Sequence, residues 1–395
     1  MNVALFDHPQ IRQQLLPFTY TRPVAEIRMG ILTITEKWQL YLGQKVNHLT
    51  QDYLANKFTG PAKKSELLVI NGGICPDADI ITAINGLDKD QSLSQDGVLL
   101  AAYLSEYKSI SALDKLPTSE YVNELTIISR PWHIFKVARQ QIIADYELLT
   151  KNRESATIDD EHTVVYNKGN IFLEEGVILK TAILNAENGP IYLGRNSSVE
   201  EGAVIRGPFA LGEDSTVNAQ ARMRGDISIG PKCKVGGEVA NSVIFGHSNK
   251  GHDGFLGNSV VGEWCNIGAG TNTSNLKNNY AQVKVWDYAE GAFINTGEQF
   301  CGLMMGDHSK CAINTMFNTG TITGVAANIF GAGFPRTLIP SFAWGGHAGF
   351  STFRLNKVKE MALVSMARRD VVFDSEEETI MSHLFKETQK FRTWE

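Results

Sequence analysis

The chain has 395 residues, of which 43% are hydrophobic, and it carries a formal net charge of −6 at pH 7. This length predicts two or three domains, and the composition is sufficient for ordinary globular cores. The negative charge argues against a general affinity for nucleic acid or for an anionic membrane surface. No apolar run approaches the length of a membrane span, and the first residues lack the pattern of a signal peptide. The five cysteines form no CxxC pair, which is typical of a cytoplasmic protein whose thiols stay reduced.

Residues 1–150 have the pattern of an α/β domain. Apolar runs predict buried strands at Val3–Phe6, Leu67–Ile70 and Val98–Ala102. Thr33 followed by Glu36 predicts a capping box at the start of one helix, and an apolar stripe predicts another helix over His133–Leu149. The polar and charged residues 151–167 predict a linker to the next domain.

Aliphatic side chains recur at every sixth position in the middle of the chain, at Leu193, Val199, Ile205, Leu211, Val217, Met223, Ile229 and Val235. A period of six fits neither a helix nor a lone strand, and it predicts a left-handed parallel β-helix with triangular coils. Glycine or asparagine is expected to supply the backbone of the corners. Eight consecutive matches argue against a β-sandwich with accidental spacing. The domain is predicted over residues 168–345, with roughly nine coils of three hexads.

Two interruptions of the hexads, Asn241–Gly257 and Asn275–Trp286, are predicted to be loops that leave the rigid prism. Loops on a rigid scaffold are where binding and catalytic residues concentrate. Residues 346–395 are predicted to form a helical tail, in which Ser375 and Glu378 make a second capping box.

The first interruption and the residues after it contain a specific motif. Lys250-Gly-His252-Asp-Gly-Phe255-Leu-Gly257, then Asn266-Ile-Gly-Ala-Gly-Thr271 and Asn275, resembles the acetyltransferase domain of the bifunctional N-acetylglucosamine-1-phosphate uridyltransferase / glucosamine-1-phosphate acetyltransferase family. Ala221-Arg222-Met223-Arg224 is similar to an Ala-Arg-Leu-Arg segment of the same family. Phe255 replaces a tyrosine of that family, and Asn275-Leu-Lys-Asn278 replaces Asn-Tyr-Asp-Gly, so the acceptor is not fixed as glucosamine-1-phosphate.

The N-terminal half resembles sugar nucleotidyltransferases, and the whole chain looks like a group of bacterial proteins described by that activity. Thr21-Arg22-Pro23 is similar to their Arg-Pro-Lys segment, and Leu68-Val-Ile-Asn71-Gly72 stands where they carry a strand ending in Gly-Asp. Their glycine-rich loop, which cradles nucleotide phosphates, is replaced by Asp7-His8-Pro9-Gln10.

The acetyltransferase resemblance implies a role for each matched residue of the β-helix. His252 would be the general base, since acyl transfer from a thioester needs an unprotonated amine and a positioned histidine takes that proton near neutral pH. A sugar phosphate would be bound by Arg222, Lys250, Asn266 and Asn275, and acyl-CoA by Gly268, Ala269 and Thr296. The alternative interpretation makes His252 a polar loop residue, Arg222 a solvated side chain and Asn266 an ordinary corner residue.

The nucleotidyltransferase resemblance implies nucleotide contacts for Arg22, Arg28, Asn71 and Gly72, with Mg²⁺ neutralising phosphate charge if this domain is active. Asp7, Asp77 and Asp79 are candidate metal ligands, and nothing in the sequence selects one of them. The alternative for Arg22 is a surface residue paired with Glu26.

We therefore expect a two-part transferase whose main reaction is acyl transfer from acetyl-CoA, or another acyl-CoA, to an amino-sugar phosphate. The resemblance also implies a homotrimer, because such β-helix acyltransferases hold acyl-CoA between neighbouring chains. One alternative is a sugar-1-phosphate nucleotidyltransferase that uses UTP or dTTP and whose β-helix serves only assembly. A non-catalytic scaffold is another; the missing glycine-rich loop favours it for the first domain, and the His252 motif opposes it for the second.

Overall fold

Two structural units are formed by residues 2–62 and 65–395, which are the residues that the computed structural model describes. The first unit comprises the residues up to Ile27 together with Leu32–Arg130, and the second comprises Arg28–Ile31 and Pro131–Glu395. The unit boundary therefore differs from the one predicted at residue 150. None of the described helices is long and apolar enough to cross a membrane.

The first unit is an α/β fold built on one mixed sheet. In the described residues its strand order is Asn47–Leu49, Asn2–Phe6, Leu67–Asn71, Val98–Leu104, Gln91–Gln95 and Thr118–Glu120. Its helices are α1 (Pro9–Gln14), α2 (Ile34–Leu42) and α3 (Ala78–Asn85), with shorter 3-10 turns at Val24–Glu26, Asp52–Leu54 and Ile110–Lys115 and a short strand at Leu32–Thr33. The predicted strands are confirmed, because their apolar runs are buried in the sheet.

The predicted capping box at the start of α2 is confirmed. The Glu36 N–H donates to Thr33 Oγ1 at 3.2 Å, and the Thr33 N–H donates to Glu36 Oε2 at 2.6 Å. This reciprocal pair satisfies two backbone donors that the first helical turn leaves without intrahelical partners.

The helix predicted over His133–Leu149 forms two consecutive helices, α4 (Pro131–Lys136) and α5 (Ala138–Thr150), and both belong to the second unit. Their apolar stripe, including Ile134, Ala138 and Ile142, is fully buried. The Asp145 carboxylate also accepts the Ile31 N–H at 2.8 Å, which ties α5 to the segment Arg28–Ile31. The chain therefore changes unit at the start of α4, before the polar segment that suggested a boundary.

The second unit is a parallel β-solenoid with three faces, as the six-residue period predicts. The first face contains the strands Ile171–Leu173, Ile191–Leu193, Phe209–Leu211, Ile227–Ile229, Val243–Gly246, Val260–Glu263, Met304–Met305, Ile322–Thr323 and Leu338–Ile339. The second face contains Ile178–Leu179, Ser198–Val199, Thr216–Val217, Lys234–Val235, Asn249–Lys250, Asn266–Ile267, Lys310–Cys311, Asn328–Ile329 and Ala343–Gly346, with Gly349–Thr352 added antiparallel. The third face contains Val164–Tyr166, Ile183–Asn185, Val204–Arg206, Arg222–Met223, Glu238–Ala240 and Phe255–Gly257, followed by the pair Asn272–Thr273 and Met316–Phe317.

The hexad side chains form the solenoid core. Leu193, Leu211 and Ile229 pair across successive coils of the first face, and each is at most 2% exposed. Val199, Val217 and Val235 do the same on the second face. Successive partners are 18 residues apart, so each regular coil holds three hexads, as the sequence predicts.

Two segments of the solenoid differ from the expectation. Residues 151–167 are not only a linker, because Val164–Tyr166 already pairs with Ile183–Asn185 and the Ala156 N–H donates to Leu173 O at 2.9 Å. The predicted loop Asn241–Gly257 is also wrong, because this segment contributes a strand to each of the three faces. Its coil looked interrupted only because Lys250 occupies an inward position where the period predicts an aliphatic residue.

The second predicted interruption is a real insertion that extends further than expected. It carries the antiparallel hairpin Lys284–Asp287 and Ala292–Asn295, and the coil resumes after the Cys301 N–H donates to Asn275 O at 2.9 Å. Beyond the last coil, the helical tail is confirmed as α6 (Leu355–Ala367) and α7 (Ser375–Glu387), with a terminal 3-10 turn at Thr388–Phe391. Asp374, and not Ser375, caps α7, since its carboxylate accepts the Glu377 N–H at 2.9 Å.

Candidate functional site

His252 lies on a turn between the second-face strand Asn249–Lys250 and the third-face strand Phe255–Gly257. The Asp253 carbonyl accepts the Gly270 N–H at 3.0 Å, so the Gly268–Gly270 turn of the next coil lies directly against this turn. The Phe255 N–H donates to Asn272 Oδ1 at 2.9 Å, which fastens the other end of the turn. The imidazole of His252 itself is exposed and makes no hydrogen bond within the described part of the chain. We call residues Gly251–Gly254 the His252 turn.

Gly254 allows the His252 turn to lie so close to the next coil. Its φ is +120°, a conformation that residues with a side chain rarely adopt. A Cβ atom at this position would lie 2.0 Å from the Thr271 carbonyl oxygen. The turn therefore has its geometry fixed both by its own backbone and by contact with the neighbouring coil.

Lys250 braces the same turn from inside the solenoid. Its side chain is 2% exposed, and its Nζ donates to Gly236 O at 3.1 Å and to the carbonyl oxygen of His252. Burial lowers the pKa of this ammonium to about 8. The interpretation of Lys250 as a solvated or substrate-binding side chain is contradicted, because the residue points inward at a hexad position beside Val235.

The Gly268–Gly270 turn offers a backbone donor next to His252. The Gly268 N–H donates to Cys311 O at 3.1 Å, and the Gly270 N–H is used by Asp253. The Ala269 N–H has no such backbone acceptor among the described residues, which leaves it for a ligand. Asn266 lies on the same coil, outward on the second face, where it pairs in register with Asn249 and Lys310.

The remaining predicted residues of the solenoid lie further from His252. Arg222 does not interrupt a coil as expected, but is an exposed outward residue on the third face with its Nε 3.8 Å from Glu238 Oε2. Asn275 lies at the opposite end of the strand Phe255–Gly257, where its Nδ2 donates to Asn258 Oδ1 at 2.8 Å. Thr296 is buried in the inserted hairpin and donates to Val283 O at 2.8 Å. The structure thus brings the Gly268–Gly270 turn to His252, and does not gather the other residues around it.

The predicted nucleotide contacts of the first unit are mostly engaged in the fold. Asn71 is fully buried, donates from Nδ2 to Leu99 O and accepts the Gly73 N–H at Oδ1, both at 3.0 Å. The Gly72 N–H donates to Phe6 O at 2.9 Å. Arg22 is 4% exposed, so the expectation of a surface residue is wrong.

The predicted role of Arg28 in the nucleotide-binding domain is contradicted. This residue belongs to the second unit, where its Nε donates to Phe245 O at 2.9 Å and its Nη1 donates to Ile31 O. Its guanidinium therefore holds the segment Arg28–Ile31 against the first face of the solenoid.

The candidate metal ligands of the first unit serve structural roles. The Asp7 carboxylate is 5% exposed, pairs with Arg12 Nη1 at 2.7 Å, and accepts the Val24 N–H at 2.7 Å and the Thr50 hydroxyl at 2.5 Å. Asp77 caps α3 by accepting two backbone N–H groups, one of them from Asp79. Among the residues that the structure describes, no group of three or more His, Cys, Asp or Glu side chains could hold a metal ion.

One charged pair in the first unit was not predicted. Glu26 Oε1 lies 3.0 Å from His48 Nε2, whose nearest hydroxyl, Thr35 Oγ1, is also at 3.0 Å. Burial alone would raise the pKa of Glu26, but the hydrogen bond and charge of His48 hold that pKa below its ordinary value. No local motif marks such a pair, because its partners are 22 residues apart and meet only in the folded unit.

Comparison with known proteins agrees with both halves of the sequence interpretation. Residues 3–154 match the family model described as sugar nucleotidyl transferase. A bifunctional sugar-1-phosphate nucleotidylyltransferase/acetyltransferase of Sulfurisphaera tokodaii is 29% identical over 266 residues, which cover 66% of this chain and 57% of that protein. The chain thus spans somewhat more than half the length of this relative.

Solved structures with low similarity include acetyl- and acyltransferases. The polySia-specific acetyltransferase NeuO is 13% identical, with a TM-score of 0.26, over 50% of this chain and 85% of its own. A UDP-N-acetylglucosamine acyltransferase from Arabidopsis is 12% identical, with a TM-score of 0.25, over 55% of this chain and 86% of its own. The predicted resemblance is confirmed by the sequence matches: residues 3–154 match the sugar nucleotidyl transferase model, and the chain resembles a bifunctional nucleotidylyltransferase/acetyltransferase.

Proposed function

We propose that the second unit transfers an acyl group from acyl-CoA, with acetyl-CoA as the simplest donor, to the amine of an amino-sugar phosphate. His252 would be the general base. The observation that carries this proposal is the construction of the His252 turn, which is fastened by Gly270, braced from inside by Lys250, and leaves its imidazole exposed. A rigid backbone with a free imidazole is what proton abstraction from a positioned amine requires.

The reaction forms one bond and breaks one. The amine nitrogen attacks the thioester carbonyl carbon while His252 removes the proton from that nitrogen. The resulting oxyanion is stabilised by a backbone donor, for which the Ala269 N–H of the adjacent turn is our candidate. The carbon–sulfur bond then breaks, and the CoA thiolate receives the proton held by His252. The products are an amide and free CoA.

Substrate contacts are proposed for the residues around this centre. The ion pair between Arg222 and Glu238 is long and exposed, so it contributes little and leaves the guanidinium able to bind a sugar phosphate. Asn266 and Asn275 would bind sugar hydroxyls or an amide, and Gly268, Ala269 and Thr296 would contact acyl-CoA. Asn275 and His252 stand at opposite ends of one third-face strand, so we further propose a homotrimer in which a neighbouring chain completes the site.

The direct test is a search for the acylated product. Purified protein would be incubated with acetyl-CoA and a panel of amino-sugar phosphates, including glucosamine-1-phosphate, and the products analysed by mass spectrometry. We expect one acceptor to gain an acetyl group in step with the release of free CoA thiol. Absence of an acetylated product with every acceptor and with longer acyl-CoA donors would contradict the proposal.

A second candidate function is nucleotidyl transfer by the first unit, which the family match over residues 3–154 favours. The structure offers no clear place for Mg²⁺ in the described residues, because both Asp7 oxygens are engaged and Asp77 is a helix cap. We therefore derive no metal-dependent step. Release of pyrophosphate from UTP or dTTP with a sugar-1-phosphate would establish this activity. If thermal-shift experiments detect binding of neither acyl-CoA nor nucleotide, the chain would instead be a scaffold.

A further inference from the structure

A polar cavity of about 290 Å³ lies within the second unit, where the end of α6 meets the second face of the solenoid. Its polar lining includes Asn249, Asn266, Lys310, Arg368 and Arg369. A neighbouring cavity of about 310 Å³ shares the two arginines and adds Lys232 and Lys234. We call the two cavities together the tail cleft.

The tail cleft concentrates positive charge that the fold does not neutralise. Five cations line it: Lys232, Lys234, Lys310, Arg368 and Arg369. Within residues 2–62 and 65–395, none of them lies within 4.0 Å of a carboxylate oxygen, although Asp214 and Asp370 line the second cavity. Instead, Arg369 Nη2 donates to Asn249 Oδ1 at 2.8 Å, and Lys310 Nζ donates to Trp264 O at 3.0 Å. The cations are thus held in place by neutral groups.

Two further donors in the tail cleft are buried without acceptors. His247 Nδ1 and Arg369 Nε have no hydrogen-bond partner in the described part of the protein. A buried polar atom without a partner costs roughly 1–3 kcal/mol, so such atoms often mark the place of a ligand. Burial also lowers the pKa of the His247 imidazole and of the Lys310 ammonium. A bound anion would favour the charged form of both groups.

One wall of the tail cleft is a rigid aromatic column at the corner between the first and second faces. His247 stacks on Trp264 with ring centroids 4.1 Å apart, and Trp264 stacks on His308 at 6.1 Å. All three residues have φ between +53° and +61°, where the sequence had suggested glycine or asparagine. Because both faces of the Trp264 ring are covered, the column offers no indole face on which a nucleobase could stack.

We infer that the tail cleft is a phosphate-binding site for the phosphate groups of a small-molecule ligand. Guanidinium, ammonium and amide donors converge there, and phosphate offers several acceptor oxygens with a charge above one. The combined cavities can take a pyrophosphate or a phosphorylated metabolite. His247 and His252 lie at the two ends of one second-face strand, on the order of 15 Å apart. The inference therefore concerns a site separate from the His252 turn and does not depend on the proposed reaction.

Isothermal titration calorimetry of the full chain tests this inference with three probes. Inorganic pyrophosphate reports the shared chemistry, adenosine 3′,5′-bisphosphate carries the phosphates of CoA without its thiol arm, and glucosamine-1-phosphate represents a sugar phosphate. We expect saturable binding of pyrophosphate that weakens as salt concentration rises, because exposed cations contribute to it. Tighter binding of one of the other two probes would identify the source of the phosphate.

The matched variants are Lys310→Met with Arg368→Gln for the site and Lys357→Gln for the control, which also removes a cation from the tail but outside the cleft. The double variant should weaken pyrophosphate binding at least tenfold, and Lys357→Gln should leave it unchanged. Arg368→Gln alone, at an exposed position, keeps the test valid if the double variant fails to fold. His252→Ala should not change pyrophosphate binding even if it abolishes acyl transfer. No saturable binding of any probe, or equal binding by the wild-type protein and Arg368→Gln, would overturn the inference.

Discussion

Replacement of Lys250 by methionine tests how the His252 turn is built. Methionine keeps most of the length of the side chain but removes the charge and the two hydrogen bonds to Gly236 O and His252 O. Burial lowers the pKa of Lys250 from its ordinary value of 10.5 to about 8. That interval of about 2.5 corresponds to ~3 kcal/mol, at about 1.4 kcal/mol for each unit of pKa.

The sign follows from which state binds the proton. Between pH values of about 8 and 10.5 the unfolded chain keeps a proton on Lys250 that the folded chain has lost. The stability of the wild-type protein therefore rises through this window by up to ~3 kcal/mol, and the full cost of burying the charge is present below about pH 8. Lys250→Met lacks this rise. Near neutral pH the removed cost is offset by roughly 1–3 kcal/mol for each carbonyl left without a donor, so the variant should stay folded.

The assay is urea denaturation followed by circular dichroism at a series of pH values. Lys284→Met is the control, because Lys284 is an exposed lysine on the inserted hairpin of the same unit. The difference in stability between wild-type protein and Lys250→Met should change by ~3 kcal/mol across the window, whereas Lys284→Met should run parallel to the wild-type protein. Parallel curves for Lys250→Met as well would refute the argument that this ammonium is buried and braces the turn.

Three further predictions concern stability. Gly254→Ala should destabilise the second unit by more than ~2 kcal/mol, because it adds a steric clash to an unfavourable φ; Gly297→Ala, also at positive φ but in open space, should cost only about 1 kcal/mol in the same thermal melts. Asp7→Asn should cost ~3 kcal/mol in chemical denaturation because it leaves a buried guanidinium uncompensated, and an equal, small effect of Asp7→Asn and of the exposed control Asp88→Asn would contradict this. The ion pair that lowers the pKa of Glu26 contributes stability above about pH 4.5 that is lost as the pH falls, so Glu26→Gln should show a flatter loss of stability in acid than the wild-type protein. Identical acid profiles would show that this carboxylate is not stabilised in the fold.

The sequence predicts the solenoid well because its repeat records a local geometric constraint. Each hexad places one aliphatic side chain inward, and this periodicity is independent of distant parts of the chain. The same rule misleads at Lys250, where a polar side chain at an inward position was read as the start of a loop. The error arises because a buried lysine is stabilised by carbonyl oxygens of the coil, which sequence spacing does not reveal.

Residues that act through long-range contacts were harder to predict. Arg28 was assigned to a nucleotide site from its neighbours in sequence, but its guanidinium binds Phe245 O, 217 residues away. The tail cleft has no local signal for the same reason, because Asn249, Lys310 and Arg369 come together only through strand register and the docking of α6. The His252 turn lies between these cases: its motif was visible in sequence, and its rigidity only in the structure.

The most direct test of the central claim is the rate of CoA thiol release that depends on the amino-sugar acceptor, compared between wild-type protein and His252→Ala. His162→Ala is the control, because His162 is also an exposed histidine of the second unit but lies away from the His252 turn. A general base typically contributes about 10²–10⁴-fold, so His252→Ala should lower the maximal rate by at least ~100-fold with little change in melting temperature, and His162→Ala should match the wild-type protein. A rate within about threefold of wild type in folded His252→Ala would contradict the assignment of His252 as the base.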